Sequence, residues 1–194
     1  MAKMWETNRT FTVGYCLADY AFTAAYVGLL VKFRRKYELI LGLVAGACML
    51  VAELILSSIG VREVSSPPFF PPVLVLMAIG FDPTLVFISA AYSLLGSLLG
   101  AFPPEERKHA KITLSFAIVG WFVYPSAMFF STGWLGETIT IRRAWPWWAH
   151  LIEALLTIVF AVLTALSGYG KETLKAFCGG TFLDACFEGG MLLY

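Results

Sequence analysis

The stretch VLVLMAIGFDPTLVFISAAYSLLGSLLGAF, residues 73–102, decides how many times this chain crosses a bilayer. A bilayer core takes about 20 apolar residues per helix, so the run is long for one span and short for two. GFDPT interrupts it. Asp82 followed by Pro83 and Thr84 reads as a helix N-cap with proline at the first helical position. The sequence therefore predicts a full helix over 83–102. It is preceded by a short segment, 73–81, that is re-entrant, interfacial or packed on its neighbours.

Working outward, two apolar runs precede this stretch, at 11–31 and 39–59, separated by the basic cluster KFRRK and followed by VREVSSPPFFPP, which reads as a loop. After it come the polar PPEERKHAK, read as a solvated loop, and further runs at 112–132 and 145–166. A last apolar segment, 174–194, carries Asp184, Glu188 and four glycines, so its crossing is open. The fold class expected is an all-α, polytopic integral membrane helix bundle. It has five to six transmembrane helices in one transmembrane domain, residues 1–194. The first helix is expected to stay in the protein, because no clear cleavage site comes after it.

Composition agrees. The chain of 194 residues is 59% hydrophobic and 14% charged, with a mean hydropathy of +0.76. Soluble domains carry about 25% charged residues. A barrel would show short alternating segments instead of long unbroken runs. The net charge of +1 gives no basic surface for nucleic acid. The four cysteines form no C-x-x-C pair, so a zinc ribbon or a thioredoxin-like redox pair is not indicated. Of two histidines, His109 sits in a polar stretch and His150 near the other side. This excludes a three-histidine zinc site, and a bis-histidine haem from this chain alone. No cofactor is assigned.

Ionisable residues at membrane depth are costly and are functional candidates by default. They are Asp19, Glu53, His150, Glu153, Asp184 and Glu188. Tyr15, Asp19, Thr23 and Tyr26 fall on one helical face, a polar stripe that lipid would reject. No helix core holds a Lys or Arg to neutralise these acids. Tyr124-Pro125 sits inside an apolar run and predicts a kink near Trp121, making Trp121 and Tyr124 candidates for a cavity wall. Gly42 and Gly46, like Gly96 and Gly100, form G-x-x-x-G, a spacing that lets helices approach closely and could mediate homo- or hetero-oligomers.

The expected function is transport of a small cationic or proton-coupled solute through a bundle lined by intramembrane carboxylates. A non-catalytic subunit of a larger membrane complex is the alternative, and an enzyme on a lipid or isoprenoid substrate the third reading. No Walker loop, G-x-S-x-G or H-E-x-x-H is present, which weighs against an enzyme.

Basic residues set the expected orientation. With the N-terminus outside, nine of the 14 Lys and Arg residues lie on the cytoplasmic side, chiefly in 32–36 and 105–111, and five lie outside. Lys36→Cys and Lys108→Cys should therefore resist a membrane-impermeant maleimide on sealed cells and label after lysis. Labelling of either in sealed cells would reverse the orientation.

Overall fold

The computed structural model describes residues 5–130, 137–145 and 149–178. Two long helices come first, α1 (Val13–Lys32) and α2 (Lys36–Ser58). The short α3 (Pro72–Leu76) then runs through a π-helical turn, Met77–Phe81, into α4 (Asp82–Leu98). α5 (Pro104–Phe130) and α6 (Ala149–Thr164) complete the helices, and a second π turn, Ala165–Tyr169, extends α6.

Four helical runs among the described residues are long and apolar enough to cross a membrane: Val13–Lys32, Lys36–Ser58, Pro72–Leu98 and Ala154–Cys178. The chain is a mostly helical membrane protein. The sequence predicts five to six spans, and these four are found among the described residues; the apolar run expected at 112–132 falls in α5 and extends beyond the described residues. Residues 179–194, which hold the doubtful last span, lie outside the described residues.

The structure corrects the sequence reading in four places. The first is residues 72–98, a single helical path in which Asp82 is no cap. Phe81 and Asp82 both have right-handed helical backbone. Pro83 lacks an N–H, and its ring crowds the carbonyl four residues back. The π turn accommodates this by widening the helix just before it, with the Asp82 N–H donating to the Met77 carbonyl.

The second correction is the stretch 104–111, which forms the first turns of α5 and not a loop. The third is the run 149–178, two helical pieces that meet at a kink at Gly168, whose φ of 83° suits a residue without a side chain.

The fourth correction is that the fold is not all-α. β1 (Trp5–Thr12), β2 (Arg62–Ser65) and β3 (Thr138–Trp145) form an antiparallel sheet with β3 in the centre. Thr12 pairs with Thr138, and Arg62 with Arg143. Thr-Ile-Thr-Ile over 138–141 has the alternation of a half-buried strand. Ile139 and Ile141 are buried with Phe11, Val13, Phe70 and Val75. The sheet therefore sits on one end of the bundle.

The chain enters α1 directly from β1. Thr12 caps that helix, its Oγ1 accepting from the Tyr15 N–H at 3.4 Å. At the opposite end, α1 turns into α2 through residues 33–35. The Arg35 side chain reaches Glu106 of α5 there, so both basic stretches lie at that end.

α2 and α4 pack backbone to backbone. A Cβ on Gly42 would stand 2.8 Å from the Leu85 carbonyl oxygen, and one on Gly46 would stand 2.9 Å from that of Phe81. Gly96 is filled by Phe102. The close-approach glycines at these three positions are occupied within the chain. Gly42→Ala should lower thermal stability in detergent by about 1–3 kcal/mol through overpacking. Gly28→Ala, where no atom lies within 4 Å, should be neutral or stabilising by up to about 1 kcal/mol. Equal melting temperatures for the two variants would contradict this packing.

Candidate functional site

Buried polar side chains run through the bundle from the sheet end to the basic end. At the sheet end, Glu53 of α2 and Arg62 of β2 form an ion pair, and they are 1% and 2% exposed. The turn after α2 builds it. Gly60, at φ 73°, reverses the chain, and the Val61 N–H donates to the Leu56 carbonyl. This folds β2 back over the last turns of α2. Glu53 then lies across Gly80 of the π turn, where an added Cβ would meet its Cγ at 2.6 Å. The sequence reading had no cation for the intramembrane acids. Arg62, from what reads as a loop, supplies one.

Close to Glu53, and two residues on from Gly80, the side chain of Asp82 of α4 neighbours that of Asp19 of α1. Asp19 and Asp82 are 6% and 4% exposed. A hydrogen bond between two carboxyls requires a proton on one of them, and two like charges at that range repel. Cys16 and Tyr20 stand beside the pair. The Tyr20 hydroxyl donates to the Leu74 carbonyl and ties α1 to α3.

Further along α1, Thr23 and Tyr26 are buried on the same face as Asp19. The Thr23 hydroxyl has no hydrogen-bond partner among the described residues. The Tyr26 hydroxyl neighbours Ser89 without a hydrogen bond of ordinary geometry.

From Ser89 the polar groups are bonded through to the basic end. Ser89 Oγ donates to the Glu38 carbonyl at 2.8 Å, and Ser93 Oγ to Glu38 Oε1 at 3.0 Å. Arg35 Nε donates to Glu38 Oε1 at 2.8 Å, and its Nη2 contacts the same oxygen. Arg35 Nη1 reaches the exposed Glu106 at 3.4 Å, and the guanidinium lies 4.3 Å from the Phe102 ring centre.

A cavity of about 550 Å³ opens at the sheet end, lined by Arg9, Phe11, Tyr15, Ala78, Ile79 and Pro83 among others. Tyr15 lies one helical turn before Asp19, and Pro83 comes directly after Asp82 in the chain. The cavity therefore approaches the carboxyl pair from both helices that carry it. Tyr15 is half-buried at the edge of the polar face, with its ring 5.3 Å from Phe11.

Of the candidates from sequence, Asp19, Glu53 and Tyr26 join this file and Tyr15 borders it. Trp121 and Tyr124 fall in α5, and His150 and Glu153 in α6, at positions whose side chains lie outside those described. Asp184 and Glu188 lie outside the described residues altogether. Sequence reasoning missed Asp82, Arg62, Arg35, Glu38, Ser89 and Ser93. Among the described residues, no group of three or more His, Cys, Asp or Glu side chains could hold a metal ion. No family model, curated protein or solved structure matches the chain.

Removing one partner of a buried ion pair strands the other charge, at a cost of about 3–5 kcal/mol. Arg62→Leu should lower thermal stability in detergent by that order. The double variant Glu53→Leu/Arg62→Leu should recover most of the loss. A double variant no more stable than the single would show that the pair is not coupled.

Proposed function

We propose that the protein is a proton-coupled membrane transport protein in which the Asp19–Asp82 pair carries the proton. The supporting observation is the position of that pair. It lies between the cavity at the sheet end and the Ser89–Glu38–Arg35 cluster at the other. The proton enters from the cavity beside Tyr15 and Pro83 and is held by the two carboxyls. It passes along Thr23, Tyr26 and Ser89 and leaves by Glu38 and Glu106. Neighbours on one helical face stand about 5–6 Å apart, a gap that one water can bridge.

The solute is small and either cationic or moved with protons, and the sheet end faces outside. The bilayer is the immediate surrounding, and self-association would use faces other than those of Gly42, Gly46 and Gly96. The enzyme reading gains no support, because Glu38 and Glu53 are held in ion pairs and no metal-binding group occurs among the described residues.

The test uses the purified chain in liposomes loaded with a pH-sensitive dye, with potassium and valinomycin clamping the potential. An external acid step should acidify the lumen faster than in protein-free liposomes. Asp82→Asn and Asp19→Asn should each slow that flux by about tenfold or more, a barrier change of about 1.4 kcal/mol or more, with little change in melting temperature. Wild-type flux equal to that of empty liposomes would reject the reading and favour the subunit alternative. Full flux in both variants would remove the pair as the carrier.

A further inference from the structure

The first turns of α5 carry chemistry that the polar file does not use. Pro104, Arg107, Lys108, Lys111, Ile112 and Ser115 line an open groove of about 510 Å³. Their spacing of three, four, seven, eight and eleven residues from Pro104 places them on one helical face. The cations there are not neutralised locally. No ion pair among the described residues involves Arg107, Lys108 or Lys111. The nearby Glu106 is drawn away by Arg35. Arg107 spends one Nη2 donor on the Phe102 carbonyl at 3.3 Å, and its buried Nε has no acceptor.

The face then changes character. Ile112 is 39% exposed, and Val119, two turns further on, is 58% exposed. Ser115 lies exposed between them. Basic groups at the helix start therefore lead directly into an exposed apolar strip on a helix of a membrane protein. The matching ligand has an anionic head and an apolar tail along one line. Exposed Lys32, Arg34 and Lys36 at the same end of the bundle add to the positive field.

We infer that this face of α5 is a binding site for an anionic phospholipid. The phosphate sits on Arg107, Lys108 and Lys111, and an acyl chain lies along Ile112, Ser115 and Val119. Arg107 offers the fork geometry that suits phosphate oxygens, and the two lysines act as mobile point charges. The site is independent of the proton path, since it shares no residue with it.

The test measures melting temperature of the full chain in a neutral detergent. Short-chain phosphatidylglycerol should raise it in a saturable manner, because a ligand that binds the folded state stabilises it. Phosphatidylcholine of the same chain length should not, and neither should inorganic phosphate at equal concentration. The variant Arg107→Gln/Lys108→Gln/Lys111→Gln should need about tenfold more phosphatidylglycerol for the same shift, while Lys32→Gln/Lys36→Gln keeps the wild-type response.

Equal shifts from the two lipids, or an unchanged response in the triple variant, would overturn the site. A shift reproduced by inorganic phosphate alone would overturn the lipid and leave a free-phosphate site. If the triple variant does not fold, Lys111→Glu serves in its place with the same expected loss. Salt gives a further check on the wild type. High sodium chloride should weaken the response, and a salt-independent shift would contradict an electrostatic head-group site.

Discussion

The close approach of α2 to α4 is the constraint on which the other features rest. Gly42 and Gly46 give up their side chains on one helix, and Gly80 does so in the π turn that leads into the other. Within lipid there is no water-driven gain in bringing apolar helices together, so backbone proximity and packing must hold them. That proximity lets Ser89 and Ser93 of α4 reach Glu38 of α2, at 2.8 and 3.0 Å. It also lays Glu53 over Gly80, within reach of Arg62. Without the glycines the helices would separate by about a side chain's width. Glu38 would then lose the hydrogen bonds from Ser89 and Ser93, and Glu53 its seat on Gly80.

The π turn before Asp82 is a second consequence of one residue. Pro83 cannot donate to the helix ladder, and its ring excludes the carbonyl four residues earlier. Ending the helix would be one solution, and the sequence reads that way. Widening it is the one adopted, and it keeps Pro72–Leu98 a single helical run, long and apolar enough to cross a membrane. An added residue in a turn also rotates the rest of the helix by about 100° relative to an unbroken α-helix. At this junction Asp82 meets α1, and Asp19 stands opposite it. The same feature shapes the rim of the cavity, since Ala78 and Ile79 come from the turn itself.

Much of this was legible from residue patterns. The long apolar runs located α1 and α2 within a few residues. The polar stripe on α1 picked out Asp19, Thr23 and Tyr26 as inward-facing, which their burial matches. The features that stayed hidden depended on partners remote in sequence. Asp82 carries the signature of an N-cap, and only the path of the preceding turn shows that the cap is not used. Arg62 comes after α2 in a proline-rich stretch that reads as a loop, and nothing local indicates that the chain doubles back onto Glu53. The sheet did leave a signal in the alternation of Thr138, Ile139, Thr140 and Ile141. It was masked because four residues among long membrane spans resemble a connector.

The arrangement of charge along the bundle decides what the interior can accommodate. Each end has a guanidinium against a glutamate, Arg35 with Glu38 and Arg62 with Glu53. Both pairs are buried, so each guanidinium offsets the cost of taking its glutamate out of water. The carboxyl pair is different. Asp19 and Asp82 face each other, and the polar groups next along the file are hydroxyls. A fully ionised carboxyl pair there would meet both self-repulsion and the cost of burial. Binding one proton relieves both at once, whereas a larger cation would need space and several oxygen ligands around it. The two ion pairs hold their charges fixed, whereas the carboxyl pair is suited to gain and lose a proton, and the proposed transport reading rests on that property.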